Sequence, residues 1–470
     1  MVNLKFIASV VLRFGCLAFT VGLTFGQSTL TPELREKIDR AATKALADTG
    51  VPSASIAVVK DGKIAYLQAY GDARLEPKTP ARPAMRYSVG SISKQFTAAA
   101  ILMLAEQGKL ALDDPVSRYV PDLTRGNEVT IRQLLSHTSG YQDYWPQDYV
   151  PPFMTQTVTA NKILDLWARK PLDFDPGTQW QYSNTNFVIA GLIIEKTSCM
   201  PLLKFLSKNI FEPLGMRSVI NIDQDRLAET DPVGYLRYAL GPPRIAPKEG
   251  KGWLFAAGEL AMPAEDLAKL DISIIEQRLM KPASYREMET DVLLKNGVGT
   301  RYGLGIGVQN ESGHRMLEHG GEVSGFTADN AIFPDDRAAI VVLTNQDAAA
   351  ASSAIAKAIA PLFFENDAEL TGSRQERARR IFEGLQRGTL ERSLFTDNAN
   401  SYFSEQAVAD FAASLGPLGT PQTFTQTVHR ERGGMSFRAY RVQFSQKSIT
   451  VTERDMPDGK IEQYQVSAGN

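Results

Sequence analysis

The sequence predicts an α+β fold: an antiparallel sheet flanked by helices, with an inserted helical region, followed by a smaller C-terminal α+β domain. Two observations lead to this prediction: the order of the patterns along the chain and a polar boundary after them. Strand patterns stand near the start of the chain, helical patterns fill the middle, and strand patterns return after residue 300. A polar stretch at 365–374 then separates these patterns from a second set of helices and strands. A sheet assembled from both ends of a chain is typical of α+β proteins and not of a βαβ repeat.

Composition and charge place the chain among ordinary globular proteins. It has 470 residues, of which 43% are hydrophobic and 22% are charged. This length exceeds that of a single small core, so two domains are expected. Lys and Arg total 51 against 53 Asp and Glu, which gives a formal net charge of −2. Because there is no basic excess, a nucleic-acid partner is not expected.

The first 26 residues have the composition of an export signal. Lys5 and Arg13 precede an apolar run at 16–23, and small residues flank Phe25 before Gln27. A retained membrane anchor is the alternative, but the apolar run is short for a membrane span. We therefore predict a cleaved signal at 1–26, an exported (periplasmic or secreted) protein, and no stable membrane span after cleavage. A larger domain at 27–368 and a C-terminal α+β domain at 369–470 would remain.

The elements that open the larger domain have clear local signals. Thr31-Pro32 predicts the start of a helix that runs to residue 48, and Gly50 predicts its end. Asp61-Gly62 suits a tight turn, so the segments 55–60 and 63–66 are expected to form a β-hairpin. The apolar spacing after residue 91 predicts a helix over 91–107. The region 110–295 reads as helical and rich in loops.

The later elements return to strand patterns. Strands are predicted at 302–308, 315–318, 327–333 and 338–343, and the helix 350–364 closes the larger domain. The C-terminal domain is expected to contain helices at 377–386 and 405–414, followed by four strands. Gly433-Gly434 and Pro457-Asp458-Gly459 are the expected turns between these strands.

Ser91 and Lys94 form the most informative local pattern. On a helix, a lysine three residues after a serine projects from the same face, within reach of the serine oxygen. A serine hydroxyl needs such a base before it attacks a carbonyl, and the lysine acts as a base only when burial or a cationic neighbour lowers its pKa. The start of a helix also favours developing negative charge at Ser91. The alternative is a surface helix with a solvated lysine.

Two further elements carry groups suited to acyl transfer. Tyr182-Ser183-Asn184 places a phenol, which can shuttle a proton, two residues before an amide that can hold a substrate carbonyl. His319-Gly320-Gly321 follows a predicted strand, where glycines let a substrate backbone approach and the N–H of Glu322 can point at a carbonyl oxygen. Taken alone, the first is better interpreted as a helix cap and the second as a glycine-rich turn. The three elements together, in this order, favour an active site.

This set of elements resembles the active site of the serine β-lactamase and penicillin-binding-protein superfamily. Three longer segments add to the resemblance: 134–140 reads Leu-Leu-Ser-His-Thr-Ser-Gly, 258–268 begins Gly-Glu-Leu, and 319–326 runs from His-Gly-Gly to Gly-Phe. The similarity covers residues 33–364. It implies a β-lactamase/transpeptidase-like fold and a loop-bracing role for His137.

The resemblance also implies an acyl-transfer mechanism. Ser91 would be the nucleophile, Lys94 its base, and Tyr182 the proton relay and activator of the hydrolytic water. The other site residues would contact substrate: Asn184, His319 and Gly321 by binding it, and Ser91 and Glu322 through the backbone N–H groups of an oxyanion hole. Neither a metal nor a cofactor is expected.

One departure bears on the substrate. Many class C β-lactamases carry lysine where this chain has His319, and that lysine helps to hold the β-lactam carboxylate. A histidine there resembles D-alanyl-D-alanine carboxypeptidases and D-aminopeptidases instead. Because the ordinary pKa of histidine lies near 6.5, the charge of His319 is expected to vary over physiological pH, with a nearby Lys94 favouring the neutral imidazole.

The resemblance thus favours an exported serine hydrolase that cleaves an amide or ester, with a peptide or peptidoglycan-like substrate. A β-lactamase, a small-ester esterase and a non-catalytic penicillin-recognising sensor are the alternatives. A classical α/β-hydrolase is not favoured, because the chain has no Gly-x-Ser-x-Gly elbow. A small molecule or a peptide is the expected partner, and the sequence leaves the oligomeric state open.

Overall fold

The computed structural model describes residues 30–147, 149–311, 313–432, 435–456 and 459–468. The predicted export signal at 1–26 lies outside these residues, as do the predicted turn residues Gly433-Gly434 and Pro457-Asp458. Elements are numbered in chain order below.

Helices and strands alternate in blocks along the chain. The helices are α1 Pro32–Thr49, α2 Ser93–Glu106, α3 Ile131–Leu135, α4 Ala160–Ile163, α5 Asn184–Ser198, α6 Leu202–Leu206, α7 Glu212–Leu214, α8 Ala264–Ile275, α9 Pro282–Glu289, α10 Ala351–Ile359, α11 Glu365–Gln386, α12 Asp397–Tyr402 and α13 Glu405–Leu415. The strands are β1 Ser53–Lys60, β2 Lys63–Leu75, β3 Lys78–Pro80, β4 Tyr87–Ser88, β5 Ile220–Asn221, β6 Tyr235–Leu236, β7 Arg244–Ile245, β8 Leu260–Met262, β9 Gly307–Glu311, β10 His314–Val323, β11 Phe326–Phe333, β12 Ala338–Thr344, β13 Thr423–Arg432, β14 Met435–Gln443, β15 Ser448–Asp455 and β16 Ile461–Ala468.

A seven-stranded antiparallel sheet forms the centre of the larger part, in the order β3-β2-β1-β12-β11-β10-β9. Its two middle strands come from distant parts of the chain, since Ala54 of β1 lies opposite Thr344 of β12. Strands β1 and β12 are buried along almost their whole length because helices cover both faces of the sheet. This arrangement confirms the predicted α+β fold.

The two faces of the sheet pack against different helices. On one face, Ile56 and Val58 share an apolar cluster with α1 and α10. On the other, Ala57 and Val59 join the larger cluster that includes α2, α5 and α8. The alternation follows from the two-residue period of a strand, which points successive side chains to opposite faces. The second face carries the inserted helical region and, with it, the catalytic candidates.

Several local predictions are confirmed at the residue level. The Thr31 side chain accepts a hydrogen bond from the N–H of Leu34 at the start of α1, and Gly50 ends this helix in the left-handed conformation. Asp61 and Gly62, with φ of 54° and 72°, form the turn between β1 and β2. These are the conformations that a tight hairpin turn requires.

Three boundaries differ from the predictions. The segment predicted as a strand at 302–308 joins the sheet only from Gly307, because Gly305 (φ of 73°) lies against the backbone of Lys94 in α2. Strand β10 continues through His319 to Val323 and does not end at residue 318. The polar stretch at 365–374, predicted as a break, lies within the backbone of α11. The boundary at 368–369 therefore falls inside a helix and stays a prediction.

The C-terminal part contains the two predicted helices, as α11 and α13, and a separate four-stranded sheet in the order β13-β14-β15-β16. Its buried residues, among them Phe382, Tyr440 and Tyr464, form an apolar cluster of their own. In the parts of the chain that the structure describes, no single helix is long and apolar enough to cross a membrane. Helix α5 with 202–214 meets that test only as a pair bent by 69°.

Candidate active site

Ser91 and Lys94 lie where the chain enters α2, with their side chains in contact. Ser91 is in the short helical turn Gly90–Ile92, and Lys94 is in the first turn of α2. The Lys94 Nζ lies 2.9 Å from the Ser91 Oγ. Lys94 is fully buried, which rules out the alternative of a solvated surface lysine. The helical spacing therefore does bring the two groups together.

Two carbonyl oxygens complete the surroundings of the Lys94 amine. The Nζ donates hydrogen bonds to the Asn184 Oδ1 and to the backbone oxygen of Ala257, each at 2.8 Å. A carbonyl oxygen can only accept a hydrogen bond. Each of these two oxygens therefore binds one N–H group of Lys94, whether the amine is charged or neutral. In the neutral amine, the remaining lone pair then faces Ser91, whose hydroxyl can donate to it. The geometry suits a base that accepts the serine proton.

Burial favours this neutral form. Transfer of the ammonium out of water lowers the pKa of Lys94 to about 7, and the negative charge of Asp143 acts in the opposite direction. The rings of Tyr182 and Phe187 have their centroids 5.0 and 5.4 Å from the Nζ. A substantial fraction of the amine is thus neutral at pH 7 and available as a base.

Tyr182 presents a buried phenol to the same centre. Burial raises the pKa of Tyr182 above its ordinary value, and the neighbouring Ser91 hydroxyl lowers it. Its oxygen has no hydrogen-bond partner of good geometry among the described residues. A phenol that stays protonated beside Ser91 is suited to donating a proton.

Asp143 fixes the orientation of Asn184. Asn184 begins α5, and both its backbone N–H and its side-chain Nδ2 donate to the Asp143 Oδ1, at 2.9 and 3.2 Å. The amide oxygen must then face Lys94. Sequence analysis did not identify Asp143 or the Ala257 carbonyl. The one local signal was the position of Asp143 three residues after the segment 134–140.

His137 braces the loop that carries Tyr182. Its Nδ1 accepts the backbone N–H of Ser183 at 3.1 Å, and its ring lies against that of Tyr182 with centroids 4.2 Å apart. Burial holds the pKa of His137 well below its ordinary value, so the ring is neutral. It has no contact with the Ser91 hydroxyl that would suit a base.

His319 is buried in β10 and neutral. Its Nε2 lies 2.8 Å from the Tyr302 hydroxyl, and its Nδ1 lies 2.6 Å from the Gly320 oxygen. Burial, followed by the charge of Lys94, lowers the pKa of His319 to about 4. The expectation that its charge varies over physiological pH is therefore wrong, because the side chain is withdrawn from water.

Two glycines allow β10 to approach Ser91 closely. A Cβ on Gly321 would lie 1.9 Å from the Val89 oxygen, and one on Gly90 would lie 2.7 Å from the Glu322 nitrogen. Real Cβ atoms do not tolerate such distances, so only glycine fits at either position. The close approach brings the backbone of Glu322 beside that of Ser91, the two predicted oxyanion-hole positions. Gly321 therefore contributes to the site by leaving room for this approach, because it has no side chain that would collide with Val89.

Ser91 opens into a groove with a cavity volume of about 930 Å³. One wall is aromatic and includes Tyr144, Trp145, Tyr149 and Trp180. The groove also contains carboxyl groups, which belong to Asp143, Glu322, Asp329 and Asp347. Tyr182, Asn184 and His319 line it together with Ser91, so the structure brings all predicted site elements to one place.

Comparison with known proteins identifies the family. The sequence pattern of the β-lactamase family matches residues 38–361. The chain is 29% identical to penicillin-binding protein 4* of Bacillus subtilis over 309 residues, which cover 62% of this chain and 68% of that protein. It is 32% identical to a D-aminopeptidase of Cereibacter sphaeroides (strain KD131) over 314 residues, which cover 66% of this chain but only 60% of that protein.

Similarity of fold extends further along the chain. The octameric penicillin-binding protein homologue from Pyrococcus abyssi aligns with 93% of this chain and 96% of its own, with a TM-score of 0.60 and 23% identity. At this identity the likeness concerns the fold alone. It confirms the β-lactamase/transpeptidase-like architecture, and the sequence matches confirm the resemblance inferred from the motifs. The chain belongs to the β-lactamase family of serine hydrolases.

Proposed function

We propose that the protein is an exported hydrolase that cleaves an amide or ester through an acyl-enzyme at Ser91, with peptide or peptidoglycan-like substrates favoured. One observation carries the proposal. The buried Lys94 amine lies 2.9 Å from the Ser91 Oγ while its two other contacts are carbonyl oxygens. Such an amine can take a proton from serine and return it without leaving its place.

Acylation follows from this geometry. Neutral Lys94 accepts the Ser91 proton as the Oγ forms a bond to the substrate carbonyl carbon. The carbonyl oxygen becomes an oxyanion, which the backbone N–H groups of Ser91 and Glu322 stabilise. Tyr182 then gives its proton to the leaving nitrogen or oxygen as that bond breaks, and regains a proton from the Lys94 ammonium.

Hydrolysis of the acyl-enzyme uses the same groups in reverse. Water takes the place of the leaving group, and its proton passes through Tyr182 to Lys94 as the new carbon–oxygen bond forms. When the serine ester breaks, Lys94 returns a proton to the Ser91 Oγ. The site residues therefore end each cycle in their starting protonation states.

The D-aminopeptidase relative supports an amide of an amino acid or peptide as the substrate. A β-lactam and a small ester remain the alternative substrates, and a sensor that is acylated without turnover is the alternative function. These possibilities share the acylation step and differ in the leaving group and in the rate of hydrolysis.

Acylation is tested with a fluorophosphonate probe followed by peptide mass spectrometry. The adduct is expected on the peptide that contains Ser91, and Ser91→Ala should remove it, with heat-denatured protein as the control. Equal labelling of Ser91→Ala would refute the assignment. Rates with D-alanyl-p-nitroanilide, fluorescent penicillin and p-nitrophenyl acetate then distinguish the substrates, and a stable adduct without turnover would identify a sensor.

Export is proposed from the composition of 1–26 and is tested separately. Expression of the full chain with cell fractionation should yield a periplasmic or secreted protein that begins at Gln27. N-terminal sequencing gives the cleavage site. A cytoplasmic protein that retains Met1 would contradict this part of the proposal, and a membrane-bound protein of full length would favour a retained anchor.

A further inference from the structure

The groove offers a substrate carboxylate no positive partner. The acidic residues Asp143, Glu322, Asp329 and Asp347 are among those that line it. Among the described residues that line it there is neither lysine nor arginine. Lys94 lies below the surface of the groove, and its N–H groups are committed to Asn184 and Ala257. A carboxylate near the scissile bond would therefore lose hydration without a lysine or arginine of the lining to compensate for it.

His319 is the basic side chain that remains among these lining residues, and both of its nitrogens are occupied. The Gly320 oxygen can only accept, so the proton of the neutral ring is on Nδ1. Nε2 is then an acceptor, and the Tyr302 hydroxyl donates to it at 2.8 Å. Both residues are buried, at 7% exposure each. The imidazole consequently has no N–H left to offer a substrate.

We propose that Tyr302 is a specificity-determining residue: by occupying His319 Nε2 it directs the site to neutral or ammonium-bearing substrates and against those with a carboxylate beside the scissile bond. The inference rests on the proposed function, because it concerns the substrate class of the same site. This preference would favour D-aminoacyl amides and esters as substrates. It would disfavour β-lactams and peptides that are cleaved next to a free C-terminus.

Removal of the Tyr302 hydroxyl should change this preference. In Tyr302→Phe, Nε2 loses its donor, and a ring that takes up a proton can then bind a carboxylate with a charge-assisted hydrogen bond. The titratable groups around His319 are Lys94 from α2, Tyr182 and His137 from adjacent loops, and Tyr302 itself. Since Lys94 opposes a second positive charge there, the gain should grow as the pH falls.

The test uses a matched ligand pair, D-alanyl-D-alanine and its C-terminal amide, which differ only in the carboxylate. Affinities are measured by titration calorimetry between pH 5 and 8 in a Ser91→Ala background, so that turnover plays no part. The parent protein should bind the amide about tenfold more tightly than the acid. Tyr302→Phe should reduce this ratio about tenfold, most strongly at pH 5.

Tyr87→Phe is the matched control, because it removes a buried phenol that bonds Ser53 and is absent from the groove lining. The ratio of its affinities for the amide and the acid should equal that of the parent. An unchanged ratio in a folded Tyr302→Phe protein would overturn the inference. Equal binding of acid and amide by the parent protein would overturn it as well, even if the variant failed to fold. Failure of the proposed function is a different result: an unlabelled Ser91 in the fluorophosphonate experiment.

Discussion

Two buried cations, one in each part of the molecule, have opposite surroundings. Arg438, at 2% exposure in the C-terminal sheet, donates to the Asp455 carboxylate at 2.5 Å, and Arg377 donates to the same group at 2.7 Å. Among the described residues, the oxygens that accept hydrogen bonds from Lys94 are neutral, and Asn184 stands between Lys94 and Asp143. A carboxylate in contact keeps a buried cation charged, whereas neutral acceptors let burial lower its pKa.

The comparison explains why one site is suited to proton transfer and the other to a structural role. The Arg438 guanidinium is paired with a carboxylate that balances its charge. The Lys94 amine titrates near neutral pH, so it can exchange a proton within a reaction cycle. Four experiments test this contrast between the two sites.

The largest effect is expected from removing the reactive amine. Lys94→Ala should lower kcat by about 10²–10⁴-fold, the usual size of a general-base contribution. Lys94→Arg should not restore activity, because a guanidinium stays protonated at the pH of the assay. Tyr182→Phe should cause a loss in the same range. Steady-state rates with circular dichroism as a folding check decide this, and near-normal kcat in both alanine and arginine variants would show that Lys94 is not the base.

The corresponding change in the C-terminal sheet should affect stability and not catalysis. Arg438→Met leaves Asp455 with Arg377 alone and should destabilise this part by about 3–5 kcal/mol, the usual cost of breaking a buried ion pair. All four tryptophans precede residue 254, so tryptophan fluorescence reports only the larger part. Hydrogen exchange should accelerate in β13–β16 while the fluorescence transition and the labelling of Ser91 stay unchanged. A matching loss of labelling would mean that the two parts are coupled.

A smaller effect is expected when the carboxylate of Asp143, which Asn184 separates from Lys94, is neutralised. The rate should rise with pH through about 7 as Lys94 loses its proton. Asp143 favours the charged amine and therefore raises the pKa of Lys94, so Asp143→Asn should move this rise to lower pH. The amide can still accept the Asn184 hydrogen bonds through its oxygen. A profile of kcat/KM from pH 5 to 9 gives the direction, and a move to higher pH would contradict the argument.

The smallest effect concerns Asp271, a buried acid whose hydrogen-bond partner is an amide and not a cation. Asp271 accepts a hydrogen bond from the Asn330 Nδ2 at 2.9 Å, while its own Oδ2 and the Asn330 Oδ1 have no partner among the residues that the structure describes. A proton on Asp271 would satisfy both atoms, in keeping with burial that raises its pKa from 3.8 to about 8. The folded state then holds this proton more tightly than the unfolded state. Its contribution to stability is complete below pH 3.8 and is lost as the pH rises through 8.

Asp271→Asn should keep the paired geometry without the titration. The variant should gain on the order of 1–3 kcal/mol over the parent at pH 8, with little difference at pH 4. Urea unfolding at the two pH values measures the difference. Glu265→Gln, an exposed change on the same helix, should stay within about 0.5 kcal/mol at both. Equal stability of parent and Asp271→Asn at pH 8 would show that the acid is ionised in the folded state.

The sequence predicted the features that depend on interactions between neighbouring residues. It missed those that depend on contacts between distant parts of the chain. The contact of Ser91 with Lys94 is a consequence of helical period, and the turn at Asp61-Gly62 is a consequence of local backbone preference. Asp143 and the Ala257 carbonyl were missed, because only tertiary packing brings them to the Lys94 amine. The charge of His319 was also mispredicted. Its protonation state depends first on burial in the folded sheet, which only tertiary packing determines.

The pairing of β1 with β12 also sets the order in which the chain can fold. The N–H of Ser53 donates to the Asn345 Oδ1 at 2.8 Å, across 292 positions of sequence. Folding slows as contacts become less local, because the closure of a long loop must precede the contact that rewards it. Until residue 344 has been synthesised, β1 has an open edge that invites pairing with other chains. Ser91, the proposed nucleophile, can therefore reach the geometry described above only after about three-quarters of the polypeptide has been made.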